Sequence, residues 1–440
     1  MLRKIRKLVY NSSFLRQALY FYHYLYTVYG NIIYRYPSKK IIVIGLVGSK
    51  GKTTTANILW QLLNNDQGDC GLIGTANIRY GNTEIMNPYH MTMPGRWFTQ
   101  KILRKIVDSG CKYAVMEVPS EAIIQNRHKG IHFDILIYTN VTEEILASHQ
   151  NSFDKLLAEN AKLFKYFSSL SDKKIKNGED VSIFKKAFYY NSDDQYIKRI
   201  IANIDPSIPQ KAFYFSDKSF FNITSSDITG SKFSYLKDTY YLPMLGDYNC
   251  FNALAAIVAA KDYFKYSAKD IYTKLSSLPI IPGRMEVINT NKPFSVIVDY
   301  AHEPIGLGLL VHALQKLKKH SGRIIILIGA EGGGRDKKKR PIMGSIVSAC
   351  DMVIITNVDP YDDDPLEIIT DIAKGSIQAG MITDKNLLLI PDRKSAIKTA
   401  IDMADKDDII CVTGKGAEQS MVIGSNTIKW DDREVIRELL

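Results

Sequence analysis

The chain has 440 residues, 45% of them hydrophobic, a length that suits two or three domains and a composition that excludes a disordered protein. Its formal charge of +11 is uneven: residues 1–40 contribute +8, with no Asp or Glu, and the rest only +3, so the main body shows no demand for nucleic acid. The five cysteines (Cys70, Cys111, Cys250, Cys350, Cys411) are scattered in apolar segments, which argues against a disulfide framework or a CxxC metal site and suits a reducing cytoplasm.

In chain order, residues 1–40 combine Arg3, Lys4, Arg6, Lys7, Arg16, Arg35, Lys39 and Lys40 with eight tyrosines, a basic and aromatic mixture suited to a membrane interface. Arg16, Gln17 and His23 interrupt the apolar stretch, so it reads neither as a signal peptide nor as a transmembrane span. The alternative is a helix packed on the next domain. Residues 41–47 read as a strand that breaks into Gly48-Ser-Lys-Gly-Lys-Thr-Thr54 and then a helical pattern. A strand turning through glycines into a helix N-terminus is a phosphate cradle, with Lys52 supplying charge and Thr53 a magnesium ligand. Leu46 stands where the usual leading glycine of such a loop would be.

Further strands are predicted at 113–118, 134–139 and 187–190, alternating with helical stretches in the manner of a parallel sheet with crossover helices. Residues 165–245 are richer in Lys, Ser, Asp and Tyr and read as an irregular part of the same domain. The prolines and glycine of Leu278-Pro-Ile-Ile-Pro-Gly283 mark a boundary, after which a second series has strands at 295–299, 323–328, 352–356 and 409–413. The predicted organisation is a basic tyrosine-rich segment at 1–40, a central ATP-binding domain at 41–282 and a C-terminal domain at 283–440. The fold class is α/β: a P-loop ATPase domain with a mostly parallel sheet, then a Rossmann-like α/β domain. Glu117 closes the predicted strand at 113–118, where a carboxylate can share a Mg²⁺ with phosphates bound at Lys52 and Thr53.

Together with Met116-Glu-Val-Pro-Ser120, Thr139-Asn-Val141 and His149, Ala161-Lys162, Leu245-Gly-Asp-Tyr-Asn249 with Asn252, Pro282-Gly-Arg-Met-Glu286 and Asp299-Tyr-Ala-His302, these motifs resemble the Mur ligase family of ATP-dependent amide-forming enzymes. The later stretches Gly333-Gly-Arg-Asp-Lys-Lys-Lys-Arg-Pro341, Asp392-Arg393 and Gly414-Lys-Gly-Ala-Glu418 are most similar to the branch that adds the third amino acid to UDP-MurNAc-dipeptide. The resemblance implies ATP and Mg²⁺ as cofactors and a UDP-MurNAc-peptide and a free amino acid as partners. Gly48, Ser49, Lys50, Gly51, Lys52, Thr53 and Thr54 would cradle the phosphates, and Thr53 and Glu117 the magnesium. Lys162, as a carbamate, would hold a second metal. Asn252 would face the adenine, Asp299 the ribose, and Arg284 the phosphates. Thr92, Gln125 and Arg127 would contact the muramoyl peptide; His302, Arg335, Asp359, Gly414 and Glu418 would serve the substrates in the second domain.

The sequence also departs from the family pattern. Glu144-Ile-Leu-Ala147 replaces Asp-His-Leu-Asp, so Ile145 stands where a metal-binding histidine is expected; Pro119 replaces a substrate-motif serine, and Met93 a threonine. Val358-Asp-Pro-Tyr361 replaces the Asp-Asn-Pro-Arg of diaminopimelate-adding members, removing the arginine that clamps a distal carboxylate. Residues 1–40 are expected to stand in the place of the family's N-terminal uridine-binding domain. Two other functions compete with the ligase: a related enzyme amidating another, lipid-linked carboxylate, and a nucleotide-binding protein impaired in catalysis. The first usually carries a four-cysteine zinc ribbon, for which the scattered cysteines offer no ligands; the second is opposed by Lys52, Glu117 and Lys162.

Overall fold

A strand buried on both faces needs an unbroken apolar run, and a helix beside it needs a polar outer face. The computed structural model describes residues 13–440 except 90, 96, 144–148, 150–151 and 178–179; Ile145 and the expectation attached to it lie outside the described residues. The chain divides into two compact units, one running to Asn222 and adding Phe233–Tyr241 and Phe251–Leu278, the other comprising Ile223–Lys232, Leu242–Cys250 and Pro279–Leu440.

In the first unit, α1 (Ser13–Ile33) precedes β1 (Ile42–Val47), α2 (Lys52–Leu63), β2 (Cys70–Ile73) and the hairpin β3 (Asn77–Tyr80) and β4 (Thr83–Met86). Then come α3 (Phe98–Asp108), β5 (Tyr113–Val118), the short helix Ser120–Ile124, β6 (Ile135–Tyr138) and α4 (Phe153–Ser169). A separate hairpin, β7 (Lys173–Asn177) and β8 (Asp180–Phe184), leads to β9 (Ala187–Asn191) and β10 (Gln210–Phe213). The eight-stranded sheet has the order β10-β9-β6-β1-β5-β2-β3-β4; β3 and β4 pair antiparallel, the other pairings but β2 with β3 being parallel. The predicted strands at 41–47, 113–118, 134–139 and 187–190 thus form within a residue of expectation. The irregular stretch at 165–245, expected to belong to one domain, supplies two strands of this sheet and a further three-stranded one, β11 (Phe221–Asp227), β12 (Gly230–Tyr235) and β13 (Asp238–Leu242), and its residues Ile223–Lys232 fall in the second unit.

Central β1 decides where chemistry can occur. Every residue from Ile42 to Val47 is buried, and β5 and β6 flank it, so chain connections leave in opposite directions on its two sides. In an open α/β sheet that is the point where a crevice opens beyond the strand ends. The register sets Leu46 opposite Glu117 and Val47 opposite Tyr138, bringing the phosphate loop, the end of β5 and the Thr139-Asn140 turn to one edge.

After α5 (Asp247–Asp262) and α6 (Ala268–Ser276), the second unit builds a six-stranded sheet from β14 (Glu286–Ile288), β15 (Ser295–Asp299), β16 (Ile324–Ile328), β17 (Met352–Ile355), β18 (Leu387–Leu389) and β19 (Ile409–Thr413). Its order is β14-β15-β19-β16-β17-β18, parallel but for β14. Strand alternation splits its core in two: Ile297, Ile326 and Val353 pack in one cluster, Val298, Ile325 and Ile354 in the other. Arg393, 2% exposed, braces this unit by donating to both carboxylate oxygens of Asp432 at 2.7 Å and to Thr413 O at 2.7 Å.

Candidate active site

The phosphate loop is held open by its walls. Gly51 has φ +82°, and a Cβ there would stand 2.1 Å from Asn252 Oδ1, so both conformation and space demand glycine immediately before α2. Asn140 grips the loop from β6: its Oδ1 accepts the Lys50 N–H at 2.9 Å, its Nδ2 donates to Lys50 O at 3.1 Å, and its own carbonyl accepts the Ser49 N–H at 2.8 Å. Thr139 Oγ1 donates to Lys50 O at 2.9 Å, and Thr142 N to Ser49 Oγ at 3.1 Å. Lys52 Nζ curls over the loop onto Gly48 O at 2.5 Å and Ser49 O at 3.0 Å, capping the cradle from inside. Thr54 is buried in the first turn of α2, and Thr55 Oγ1 donates to Asn252 O at 3.1 Å, tying Asn252 to the helix that starts at the loop.

Glu117 is 1% exposed at the end of β5 and accepts three hydrogen bonds: from Thr53 Oγ1 at 3.0 Å, Thr75 N at 2.6 Å and Thr75 Oγ1 at 3.0 Å. A buried carboxylate with that many donors is held in one orientation. The Thr53 hydroxyl and Glu117 carboxylate are hard oxygen donors of the kind Mg²⁺ takes alongside phosphates. Thr75 also shares a 3.0 Å hydrogen bond with Thr92 Oγ1, which links the Glu117 carboxylate to the first of the expected acceptor residues. Nothing singled Thr75 out in the sequence; the available signal was its place just after β2, one residue beyond Gly74.

Arg127, 9% exposed, donates to Met93 O at 2.6 Å and through Nε to Gln125 Oε1 at 3.0 Å, so Gln125, Arg127 and the Thr92-Met93-Pro94 segment form one cluster. Beside it His128 is 1% exposed, its ring edge-on to Tyr166 at 5.3 Å, and burial, then Lys129 and Lys162, push its imidazole down to about 3. Lys162 lies on α4 with 60% of its side chain exposed and pairs with Glu159 at 2.7 Å. Among the described residues no group of three or more His, Cys, Asp or Glu side chains is gathered as a metal site, and all five cysteines are buried and free.

The second unit gathers another cluster at the C-terminal ends of β15 and β19. Asp299 accepts N–H groups from Met285 and Ala301, each at 2.8 Å; burial raises its carboxyl, with Arg284 opposing. Arg284 stacks its guanidinium 4.3 Å from the Tyr300 ring centroid, Tyr300 donates its hydroxyl to Glu418 at 3.2 Å, and His302 Nδ1 lies 2.8 Å from Tyr300 O. Lys415, 1% exposed, bridges Asp359 at 2.7 Å and Glu418 at 2.6 Å, directly after Gly414. Arg335 pairs with Glu331 at 2.6 Å; despite burial, Arg335, His302 and Lys339 hold the Glu331 carboxyl below its ordinary range. Tyr361 follows Asp359 in a left-handed turn of φ +53°, its ring against Gly333. Glu331 and Lys415 carry this cluster's charge balance, yet sequence reasoning had not chosen them: Lys415 lay inside a recognised motif, and Glu331 reads as a loop acid.

Residues 46–260 match the Mur ligase middle domain, and residues 283–416 the domain described as Mur ligase, glutamate ligase domain. Over 416 residues the chain is 32% identical to UDP-N-acetylmuramoyl-L-alanyl-D-glutamate–2,6-diaminopimelate ligase of Caldanaerobacter subterraneus subsp. tengcongensis, covering 92% of this chain and 80% of that one. The chain belongs to the Mur ligase family. It is also 31% identical over 420 residues to UDP-N-acetylmuramyl-tripeptide synthetase of Roseiflexus sp., covering 92% and 80%. Among solved structures, a UDP-N-acetylmuramoyl-L-alanyl-D-glutamate–2,6-diaminopimelate ligase (24% identity, TM-score 0.58, 91% of this chain and 78% of that one) shares the fold. So does the Mycobacterium tuberculosis folylpolyglutamate synthase complexed with ADP and AMPPCP (14%, TM-score 0.67, 89% and 92%). Membership agrees with the α/β architecture of a P-loop unit followed by a Rossmann-like one.

Proposed function

We propose that this Mur ligase joins an amino acid to the terminal carboxylate of a UDP-MurNAc-peptide, at the expense of ATP, in peptidoglycan precursor synthesis. The observation that carries the reading is the Thr53–Glu117 pair at the mouth of the Lys52 loop, a phosphate cradle with an oxygen-donor partner at the adjacent strand end. Thr53 and Glu117 would hold Mg²⁺, which when bound neutralises phosphate charge. Lys52 turns from the Gly48 and Ser49 carbonyls onto the phosphates, and the N–H groups at the start of α2 face them. The acceptor carboxylate, oriented by Thr92, Gln125 and Arg127, attacks the terminal phosphorus, ADP leaves, and an acyl phosphate forms. The amine of the amino acid then attacks the acyl carbon, phosphate departs, and the amine's proton is released. Positioning and charge neutralisation supply most of the acceleration in such transfers.

The remaining assignments belong to the same proposal. Asn252 serves the adenine, Asp299 the ribose and Arg284 the phosphates; His302, Arg335, Asp359, Gly414 and Glu418 serve the amino-acid end. Lys162, with its ammonium free of the core, is accessible to carbamylation and so to a role as a second metal ligand. Residues 41–282 act as the ATP-binding domain and 283–440 as the domain presenting the amino acid. The enzyme works in the cytoplasm, with residues 1–40 at the inner membrane face. The test is ADP release from purified protein across UDP-MurNAc-dipeptide and a panel of amino acids. Release that depends on both supports the ligase; turnover only on a lipid-linked carboxylate, or none with nucleotide still bound, would replace it with one of the competing functions.

A further inference from the structure

Helix α1 is built inside out. Its packed side centres on small and polar residues: Thr27 and Asn31 are each 3% exposed, and Gly30 lies so close to α3's entry that a Cβ there would meet Trp97 at 3.0 Å and Gln100 at 3.4 Å, with tyrosines at the flank. The rings of Tyr26 and Tyr29 stand 5.2 and 6.4 Å from Trp97, and Asn126 donates to Tyr20 O at 3.4 Å. The outer side is apolar. Phe21 is 60% exposed, Leu25 49%, Val28 37%, Tyr29 56%, Ile32 57% and Ile33 47%. Positions 21, 25, 28, 29 and 32 recur at helical spacing, so they form one stripe, the reverse of the arrangement that water favours.

What covers that stripe is indicated by charge. Residues 1–40 carry eight cations and no acid. Arg35, Lys39 and Lys40 are exposed just beyond the helix, and Lys101 and Lys105 are exposed on α3, the helix against which α1 packs; the acid of α3, Asp108, is paired with Arg104. A second copy of the same stripe would bring like charges together, whereas an anionic surface meets both the apolar row and its cations. The stripe is no membrane span, since no described helix is long and apolar enough to cross a bilayer.

We propose that α1 lies in the plane of an anionic lipid bilayer through the Phe21–Leu25–Tyr29–Ile32 stripe, with Arg35, Lys39 and Lys40 on the headgroups. This rests on the placement of residues 1–40 at the membrane and adds the face that binds, the lipid charge it needs and the orientation that follows. The opposite side of α1 grips Trp97, five residues after Thr92, so the acceptor segment is the part of the ATPase unit held next to the lipid.

The full-length protein is sedimented with phosphatidylcholine vesicles, with and without phosphatidylglycerol, over a range of salt. Binding is expected only with phosphatidylglycerol and should weaken as salt rises. F21S/L25S/I32S should abolish it with melting temperature and soluble ADP release unchanged. Replacing Arg35, Lys39 and Lys40 together with Gln should lower partitioning by on the order of 100-fold at low salt. F21W keeps an aromatic at an exposed position, and its emission should shift to the blue on phosphatidylglycerol vesicles. Absence of binding by the wild type, undiminished binding by the serine variant, or an F21W emission that ignores lipid each overturns the proposal; a wild-type dimer that the serine variant dissociates, with no lipid binding, assigns the stripe to a second copy. Soluble ADP release is read independently of lipid, so failure of the ligase reading and failure of the membrane reading are told apart.

Discussion

Glu117→Gln isolates charge from shape at the centre of the site. The side chain is 1% exposed and accepts from Thr53 Oγ1, Thr75 N and Thr75 Oγ1. Glutamine keeps one carbonyl oxygen, which can still accept the Thr75 N–H, while its amide donates to hydroxyls that rotate to accept. The net loss to the fold is therefore about 1 kcal/mol, or about 2–4 °C in melting temperature for a unit of this size. A metal held by Thr53 and Glu117 would lose more, because a neutral amide replaces the carboxylate beside Thr53. Weakening the shell around a metal typically costs about 10–100-fold in affinity, so the Mg²⁺ concentration for half-maximal ADP release should rise by at least about that factor. The assay is a magnesium titration at saturating ATP, acceptor and amino acid, with thermal unfolding alongside. An unchanged titration in a folded variant would refute the assignment of Glu117 to the metal. A fall of more than about 10 °C would make it a structural carboxylate instead.

Lys52→Ala should abolish ligation and leave the melting temperature nearly unchanged, since Lys52 sits on a loop and its bonds to Gly48 O and Ser49 O stay within that loop; wild-type turnover would remove the loop from the mechanism. Acid should destabilise the protein through His128, held near 3 in the fold against an ordinary 6.5. Between those values the unfolded chain binds more protons than the folded one, so this contribution is intact above about 6.5 and lost as pH falls, by about 2 kcal/mol at pH 5. H128F should lose that part of the acid sensitivity in unfolding measured at pH 7 and 5, and equal losses in both proteins would contradict it. Diaminopimelate should not be the preferred amino acid, because Tyr361 offers one neutral hydrogen bond where a guanidinium would grip its distal carboxylate. Competition among diaminopimelate, lysine and neutral amino acids checks this, and selectivity for diaminopimelate would mean that another cation, such as Arg335, takes over the clamp.

The sheets were legible because their strands are buried on both faces. Runs such as Ile42–Val47 and Ile324–Ile328 admit no polar residue, and their limits show as abrupt composition changes. The edge strand β4 was not, because Thr83–Met86 is largely exposed and carries no apolar run. The phosphate loop announced itself through glycines in a fixed local order. Thr75 could not, being brought to Glu117 by the parallel pairing of β2 with β5 across about forty residues of chain. For α1 the sequence left two readings, a membrane helix and a packed helix. The structure contains packing on Trp97 and an apolar outer stripe together, since alternate faces of one helix are separate surfaces.

The Lys52 and Glu117 site is expected to drive amide formation on a muramoyl peptide. Incubating the purified chain with ATP, Mg²⁺, UDP-MurNAc-dipeptide and an amino acid mixture, then following ADP and the acceptor's mass together, tests it most directly. One ADP is expected per acceptor extended by one amino-acid residue, and none when the acceptor is left out. ADP release without any mass gain on the acceptor, or an unmodified acceptor with no ADP in a folded, nucleotide-binding protein, would contradict it.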